Sequence, residues 1–468
     1  MLSEDILFKP VTELAKLVQA RKISPVELTK AYLARSNGLD SKLHAWVTIT
    51  ADRALDEARQ AEKEIAGGHY KGPLHGIPYG AKDLLATAGT PTTWGAKPLE
   101  AQTFPGDAAV IKRLRQAGAV LMGKLAMIEL AGGLGYARGD ASLTGAARNP
   151  WNTGRWTCGS SSGSGAAVSA ALVPFAIGSE TWGSIICPSS FCGISGLRPT
   201  FGRVSRQGAM ALSWTLDKLG TMARSARDCE IVLRAIAGAD PADPYSASEP
   251  LGPESSPDSA RRLRVGYVKL DFSKMGNPAV EQAFHRALVD LAGAGVRSEE
   301  VKLPDLPFEA VTGIILTAEV STAFEELEKS GQVRQLRTPD APLSFVTARA
   351  VRGSDFVKAE RIRTLCQRAM ADLYETYDVI LYPGEMHTAF AAEEDFSAIQ
   401  WADPVGGAGN LCGLPAISVP CGFSDEGLPV GLAIMGGAFQ EAKALSLARF
   451  YQGATDWHQR RPPVSAPA

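Results

Sequence analysis

The chain has 468 residues, 45% of them apolar and 21% charged, and 48 basic against 50 acidic side chains give a net charge of -2. That length buries a large core and has room for two domains, and the composition is that of a globular rather than a disordered protein. The near-zero charge leaves no footprint for nucleic acid or an anionic membrane surface, and no apolar run reaches the roughly 18 residues needed to span a bilayer. Residues 1–16 lack the basic-then-apolar order of a secretory leader, so the expectation is a cytoplasmic protein.

The predicted elements follow in chain order. Val11–Ala20 carries apolar residues at helical spacing. A second helix starts at Ser24-Pro25-Val26-Glu27, with Ser24 as N-cap, Pro25 at the first helical position and Glu27 at N3. Asp52–Ala66, rich in alanine and charge, reads as a surface helix. Gly76-Ile77-Pro78-Tyr79-Gly80-Ala81 is a short apolar run between breakers. Asp107 caps a helix that runs to about Ala117, Gly118 ends it, and Ala119–Met122 resumes as a strand. Such alternation implies helices packed on a largely parallel or mixed sheet. Asp240–Ala260, rich in Pro, Ser and Asp, reads as a long loop. Beyond it Arg264–Val268 is a strand and Val280–Ala292 an amphipathic helix, and the proline-rich end from Arg461 frays.

The seven cysteines are scattered through apolar surroundings without C-x-x-C spacing. Cys187 and Cys192 lie close together, but no histidine beside them completes a metal set. The expectation is packed, reduced thiols.

Two serine clusters break the strand–helix rhythm. Cys158-Gly159-Ser160-Ser161-Ser162-Gly163-Ser164-Gly165 leads directly into the apolar run Ala166–Val173, which argues against a flexible linker. No Gly-Lys-Ser/Thr follows the glycines, so a phosphate-cradling loop is set aside. Gly159-Ser160-Ser161-Ser162-Gly163 satisfies G-x-S-x-G, which raises an α/β-hydrolase-type esterase with Ser161 as nucleophile. That reading needs a strand running into the serine and a downstream histidine, for which His285, His387 and His458 are available. The second cluster, Gly178-Ser179-Glu180-Thr181-Trp182-Gly183-Ser184-Ile185-Ile186-Cys187-Pro188, puts a glycine directly before Ser184. A turn there can aim backbone N–H groups at a developing oxyanion.

Together these segments resemble the amidase signature family. Its serine- and glycine-rich block, G-G-S-S-G-G-S-A, corresponds to 158–165, and its nucleophile block, D-T-G-G-S-I-R-x-P, to 180–188. Phe191-Cys192-Gly193, Gly196-Leu197-Arg198-Pro199-Thr200 and Gly202-Arg203-Val204-Ser205 are also similar to the family. So are Gly76-Ile77-Pro78 with Lys82-Asp83, Asn410-Leu411-Cys412-Gly413-Leu414-Pro415, and Gly427-Leu428-Pro429-Val430-Gly431-Leu432. The likeness covers nearly the whole chain and is weakest between about 240 and 374. It implies an α/β fold in one domain, a central mixed, twisted β-sheet covered on both faces by α-helices.

The resemblance also implies an amidase with a Ser–cis-Ser–Lys triad: Ser184 as nucleophile, Ser160 as the serine after a cis peptide bond, and Lys82 as base. Thr181, Trp182, Gly183 and Ser184 would supply the oxyanion hole, and neither cofactor nor metal is implied. A lysine serves as base only when neutral, which requires burial away from carboxylates. Asp83 is adjacent, but on a strand it points the other way. Trp182 stands where the family usually has Gly, and Ile186 where it usually has Arg. Both make the site more apolar, so the expected substrate is a small molecule with an apolar or aryl amide, and esters or carbamates would also fit. Met127, Gly132, Gly133, Tyr136, Ile186 and Ile315 are the candidate substrate-binding residues.

Within the family, one relative is the glutamine-hydrolysing component of a tRNA-dependent amidotransferase. This chain lacks the Gly-Thr-Tyr-x-Leu-Ser and multiple-tyrosine run expected of that component around Phe345–Arg363, which favours a free-standing monomer or homodimer with no nucleic-acid or membrane partner. A scaffold with the fold but a site blocked by Trp182 is the remaining alternative.

Overall fold

The computed structural model describes residues 2–133, 137–272, 276–399 and 403–464. Helices open the chain where the sequence predicts them. Val11–Gln19 is the first of the expected pair, and Pro25–Leu43 starts at a full capping box between Ser24 and Glu27. Ala51–Ala66 follows as a helix.

The strands, in chain order, are β1 (Trp46–Ile49), β2 (Pro78–Lys82), β3 (Val120–Leu125), β4 (Arg148–Asn149), β5 (Asn152–Trp156), β6 (Phe175–Glu180) and β7 (Ser195–Arg198). They continue as β8 (Lys218–Ala223), β9 (Val265–Val268), β10 (Ser298–Val301), β11 (Val379–Pro383), β12 (Ala416–Phe423) and β13 (Pro429–Gly436). Among the described residues eleven of them form one sheet, ordered β1-β3-β2-β6-β8-β7-β12-β13-β11-β9-β10, while β4 and β5 make a separate ribbon. β2 runs parallel to β3 and β6, and β9 parallel to β10 and β11. The remaining pairs of the large sheet are antiparallel, so the sheet is mixed. Every residue of β2, β6, β8 and β13 is buried. Burial of successive residues, which point to opposite faces, means that both faces are covered.

Two sequence expectations are corrected. Asp107 does not cap the helix Ala109–Gln116, whose N-cap is Ala108. Its carboxylate is buried and turned to the Ala88 N–H at 2.8 Å and to Arg115 and Arg53, cations that outcompete a helix terminus. The cysteines are not all reduced thiols either: Cys158 and Cys187 form a disulfide across 29 residues. Nothing local in the sequence marks that pair, because the helix after Ser184 folds back to bring Cys187 to the serine-rich segment. The other five cysteines are thiols.

Candidate functional site

Lys82 is the last residue of β2, and the pleat decides its surroundings. Its Nζ points to one side, donating to Ser160 Oγ at 2.7 Å and to Ser179 Oγ at 2.9 Å. Asp83, the next residue, points to the other side and pairs with Lys124 at 3.0 Å. Lys82 is completely buried. Burial disfavours its charged form and brings its pKa down to about 7, against the opposing pull of Asp217 and Glu180.

The serine-rich segment reaches Lys82 through the helix Ser162–Ser169, which packs directly on backbone. A Cβ on Gly163 would lie 2.3 Å from the Ala45 carbonyl oxygen and 2.4 Å from the Ala126 nitrogen. Only glycine permits that approach. The Gly159–Ser160 peptide bond just before the helix is cis. Ser161 serves the scaffold: its Oγ donates to the Ser179 carbonyl at 3.1 Å, and its N–H to the Ser184 carbonyl at 3.3 Å. No sheet strand runs straight into it.

Ser184 ends the loop that links β6 to the helix Ile186–Cys192. Gly183 has φ +82°, and its Cβ direction is open space. The Glu180 carboxylate fixes the far side of the loop, accepting from the Ile185 and Ile186 N–H groups at 2.8 and 3.0 Å. It also accepts from Arg198 at 2.7 Å and from Asn410 at 3.0 Å. Burial alone would raise its pKa, but Arg198 and Lys218 prevail and hold it at about 2. Thr181 donates to Asp217 at 2.6 Å, and Asp217 in turn accepts from the Leu212 and Ser213 N–H groups.

A cavity of about 580 Å³ opens over this loop. Thr181, Trp182, Gly183, Ser184, Gly132 and Gly133 line it, while Lys82 and Ser160 lie buried behind its wall. Three expected substrate contacts are instead core residues. Met127 packs in the main hydrophobic core, and Ile186 and Ile315 in a second cluster with Val405 and Tyr382. On the helix Phe308–Ala323 the cavity face is Gly313, Leu316, Thr317 and Val320, one helical stripe that leaves Ile315 on the opposite side. Tyr136 lies outside the described residues.

The structure also brings in groups that the sequence does not single out. Ser179, Asp217 and Asn410 are among them, and so are three carboxylates of the cavity wall, Glu309, Glu385 and Asp403. Trp182 Nε1 donates to Asp403 Oδ2 at 3.1 Å, and Asp403 Oδ1 caps the helix Pro404–Leu411 through the Gly406 N–H. Burial and then Glu180 push Asp403 up to about 6, and burial and then Asp403 push Glu385 up to about 8. These groups are not legible in the sequence because their partners lie up to 230 residues away, as with Glu180 and Asn410. Among the described residues no Lys or Arg lines the cavity, and no set of three or more His, Cys, Asp or Glu could hold a metal ion.

Comparison with known proteins adds four likenesses. The family model described as Amidase matches residues 27–445. The chain is 38% identical to a component of the glutamyl-tRNA(Gln) amidotransferase of Methylococcus capsulatus, over 97% of this chain and 98% of that protein. Among solved structures it is similar to the peptide amidase of Stenotrophomonas maltophilia, with a TM-score of 0.85, 32% identity and coverage of 97% and 98% of the two chains. The corresponding amidotransferase component of Thermotoga maritima superposes with a TM-score of 0.81, at 28% identity over the full length of both chains.

Proposed function

The chain belongs to the amidase family and is an amide-hydrolysing enzyme, and from that premise we propose that it works through an acyl-enzyme on Ser184, with Lys82 as base and Ser160 as the relay between them. The observation that carries this reading is the buried Lys82 Nζ, 2.7 Å from Ser160 Oγ and depressed to about 7. Neutral Lys82 takes the Ser160 proton as Ser160 takes that of Ser184, whose Oγ then attacks the amide carbon. The oxyanion forms against backbone N–H groups of Thr181, Trp182, Gly183 and Ser184. The proton returns by the same path to the leaving amine, and water then cleaves the acyl-enzyme.

The pH dependence follows from the lysine. Below about pH 7 Lys82 is an ammonium and cannot accept a proton. The value of kcat/KM on an uncharged amide therefore rises with pH through an inflection near 7 and levels off above it. A flat profile from pH 5 to pH 9 in buffers of constant ionic strength would remove Lys82 as the base.

The acyl group is apolar or aromatic. Trp182, Leu212, Leu316, Val320 and Ala348 face the cavity, and Trp182 takes up one oxygen of Asp403. Esters and carbamates of similar shape present the same reacting carbon. Trp182→Gly lowers kcat/KM for an aryl anilide by about tenfold to a hundredfold, the value of one large apolar contact, and affects acetamide far less. Faster turnover of small polar amides than of aryl amides by the unaltered enzyme would sink the apolar preference.

A second reading is favoured by the identity to amidotransferase components: hydrolysis of glutamine as one part of a larger assembly. The described cavity wall offers carboxylates for the ammonium of glutamine but no Lys or Arg for its carboxylate. That supports uncharged amides as the substrates. Release of p-nitroaniline from an aryl anilide, measured beside release of ammonia from glutamine, tests the choice. Glutamine cleaved faster than the anilide puts the second reading first.

A further inference from the structure

The disulfide sits where the site is assembled. Cys158 precedes Ser160 by two residues, and Cys187 follows Ser184 by three. The covalent ring it closes contains Ser160, the helix Ser162–Ser169, β6 with Ser179, and the loop Thr181–Ser184. Both cysteines line the cavity, backed by Ile128, Trp156 and Phe191. Besides the bridge, a main-chain hydrogen bond between the two serine segments runs from the Ser161 N–H to the Ser184 carbonyl, long at 3.3 Å. Cys158 has φ +64°, in the left-handed region that non-glycine residues keep only where their surroundings impose it.

We propose that the Cys158–Cys187 bridge is a positioning element of the reaction, and that it makes amide hydrolysis depend on redox state. This rests on the roles proposed above for Ser160 and Ser184. Oxidised, the bridge holds the relay serine and the nucleophile in register from both ends of the ring. Reduced, it leaves the Ser160 segment and the helix Ile186–Cys192 free to separate, and the proton path lengthens.

The reductant is an external dithiol reaching the bridge through the cavity. Its thiolate attacks one sulfur, forms a mixed disulfide with that cysteine and releases the other; its second thiol then attacks its own partner sulfur in the mixed disulfide and displaces the bound cysteine. Two electrons pass to the protein, two protons end on Cys158 and Cys187, and the dithiol leaves as its own disulfide. The chain's other thiols are poor attackers, because burial raises the pKa of Cys192, Cys229, Cys366, Cys412 and Cys421 and keeps them protonated.

The test uses the full chain, oxidised, reduced with dithiothreitol, and as Cys158→Ala/Cys187→Ala. Alkylation and mass spectrometry count the thiols, an aryl anilide gives kcat and KM from pH 6 to pH 9, and circular dichroism follows the fold. Misplacement of reacting groups by about an ångström can cost about a hundredfold. The expected result is a kcat lower by about tenfold or more in both the reduced and the double-variant protein, with KM within about threefold and the fold retained. Oxidised glutathione restores the reduced wild type and does nothing to the variant. Three results overturn the proposal: unpaired Cys158 and Cys187 in the oxidised protein, kcat retained within about twofold without the bridge, or activity lost only in step with the fold. Failure of the oxidised wild type to cleave either amide or ester is a different outcome, which removes the proposed function and this inference with it.

Discussion

Ser184→Ala and Lys82→Ala each lower kcat on an aryl amide by about four to six orders of magnitude, and the double variant falls little further. The near-equality is expected because the proposed roles put the two residues on one proton path. Without the base, the Ser184 hydroxyl is a poor nucleophile; without the nucleophile, the base has nothing to activate. Lys82→Met is the better probe of folding, since it keeps the buried stem and loses only the amine between Ser160 and Ser179. It gives a folded protein that reacts slowly with a fluorophosphonate, whereas Ser184→Ala does not react at all. An active Ser184→Ala protein would defeat the assignment. Ser161 is poorly placed to take over, because its hydroxyl and N–H are turned to the backbone of Ser179 and Ser184.

Glu180→Ala costs about 3–5 kcal/mol of stability in denaturant unfolding, because it leaves Arg198 as an uncompensated buried charge. The Glu180 and Arg198 side chains are at most 1% exposed, so water cannot replace the lost partner. The same change frees the Ile185 and Ile186 N–H groups and loosens the loop before them, so kcat falls as well. Removing both charges with Glu180→Leu/Arg198→Met recovers most of the stability and none of the loop's hydrogen bonds. Stability and kcat therefore separate in the double variant. Stability unchanged in Glu180→Ala would mean that the pair does not hold the loop.

Local signals in the sequence are legible where a few adjacent residues set them. The capping box at Ser24, the β2 run ending in Lys82 and the glycine before Ser184 are of this kind. The opposite aims of Lys82 and Asp83 follow from strand alternation alone. Legibility fails where packing decides. Met127, Ile186 and Ile315 have the right chemistry for a pocket wall, yet face the core because of helix phase and tertiary position. Asp107 has the residue type of a cap but finds cations instead. Cys158 and Cys187 pair through a ring whose closure depends on the turn after Ser184, which spacing does not encode.

The Glu180 carboxylate gathers its partners from very different parts of the chain: the adjoining loop, Arg198 on β7, and Asn410 near the C-terminal end. Arg198 also donates to the Leu414 carbonyl, and β7 pairs with β12. During synthesis Lys82 and Ser184 therefore leave the ribosome well before Asn410 and β12. A nascent chain ending short of about residue 410 holds Lys82, Ser160 and Ser184 but carries Glu180 and Arg198 without Asn410. A chain shortened to end before Asn410 is therefore expected to lack amide hydrolysis, which an aryl-anilide assay of the truncated protein checks.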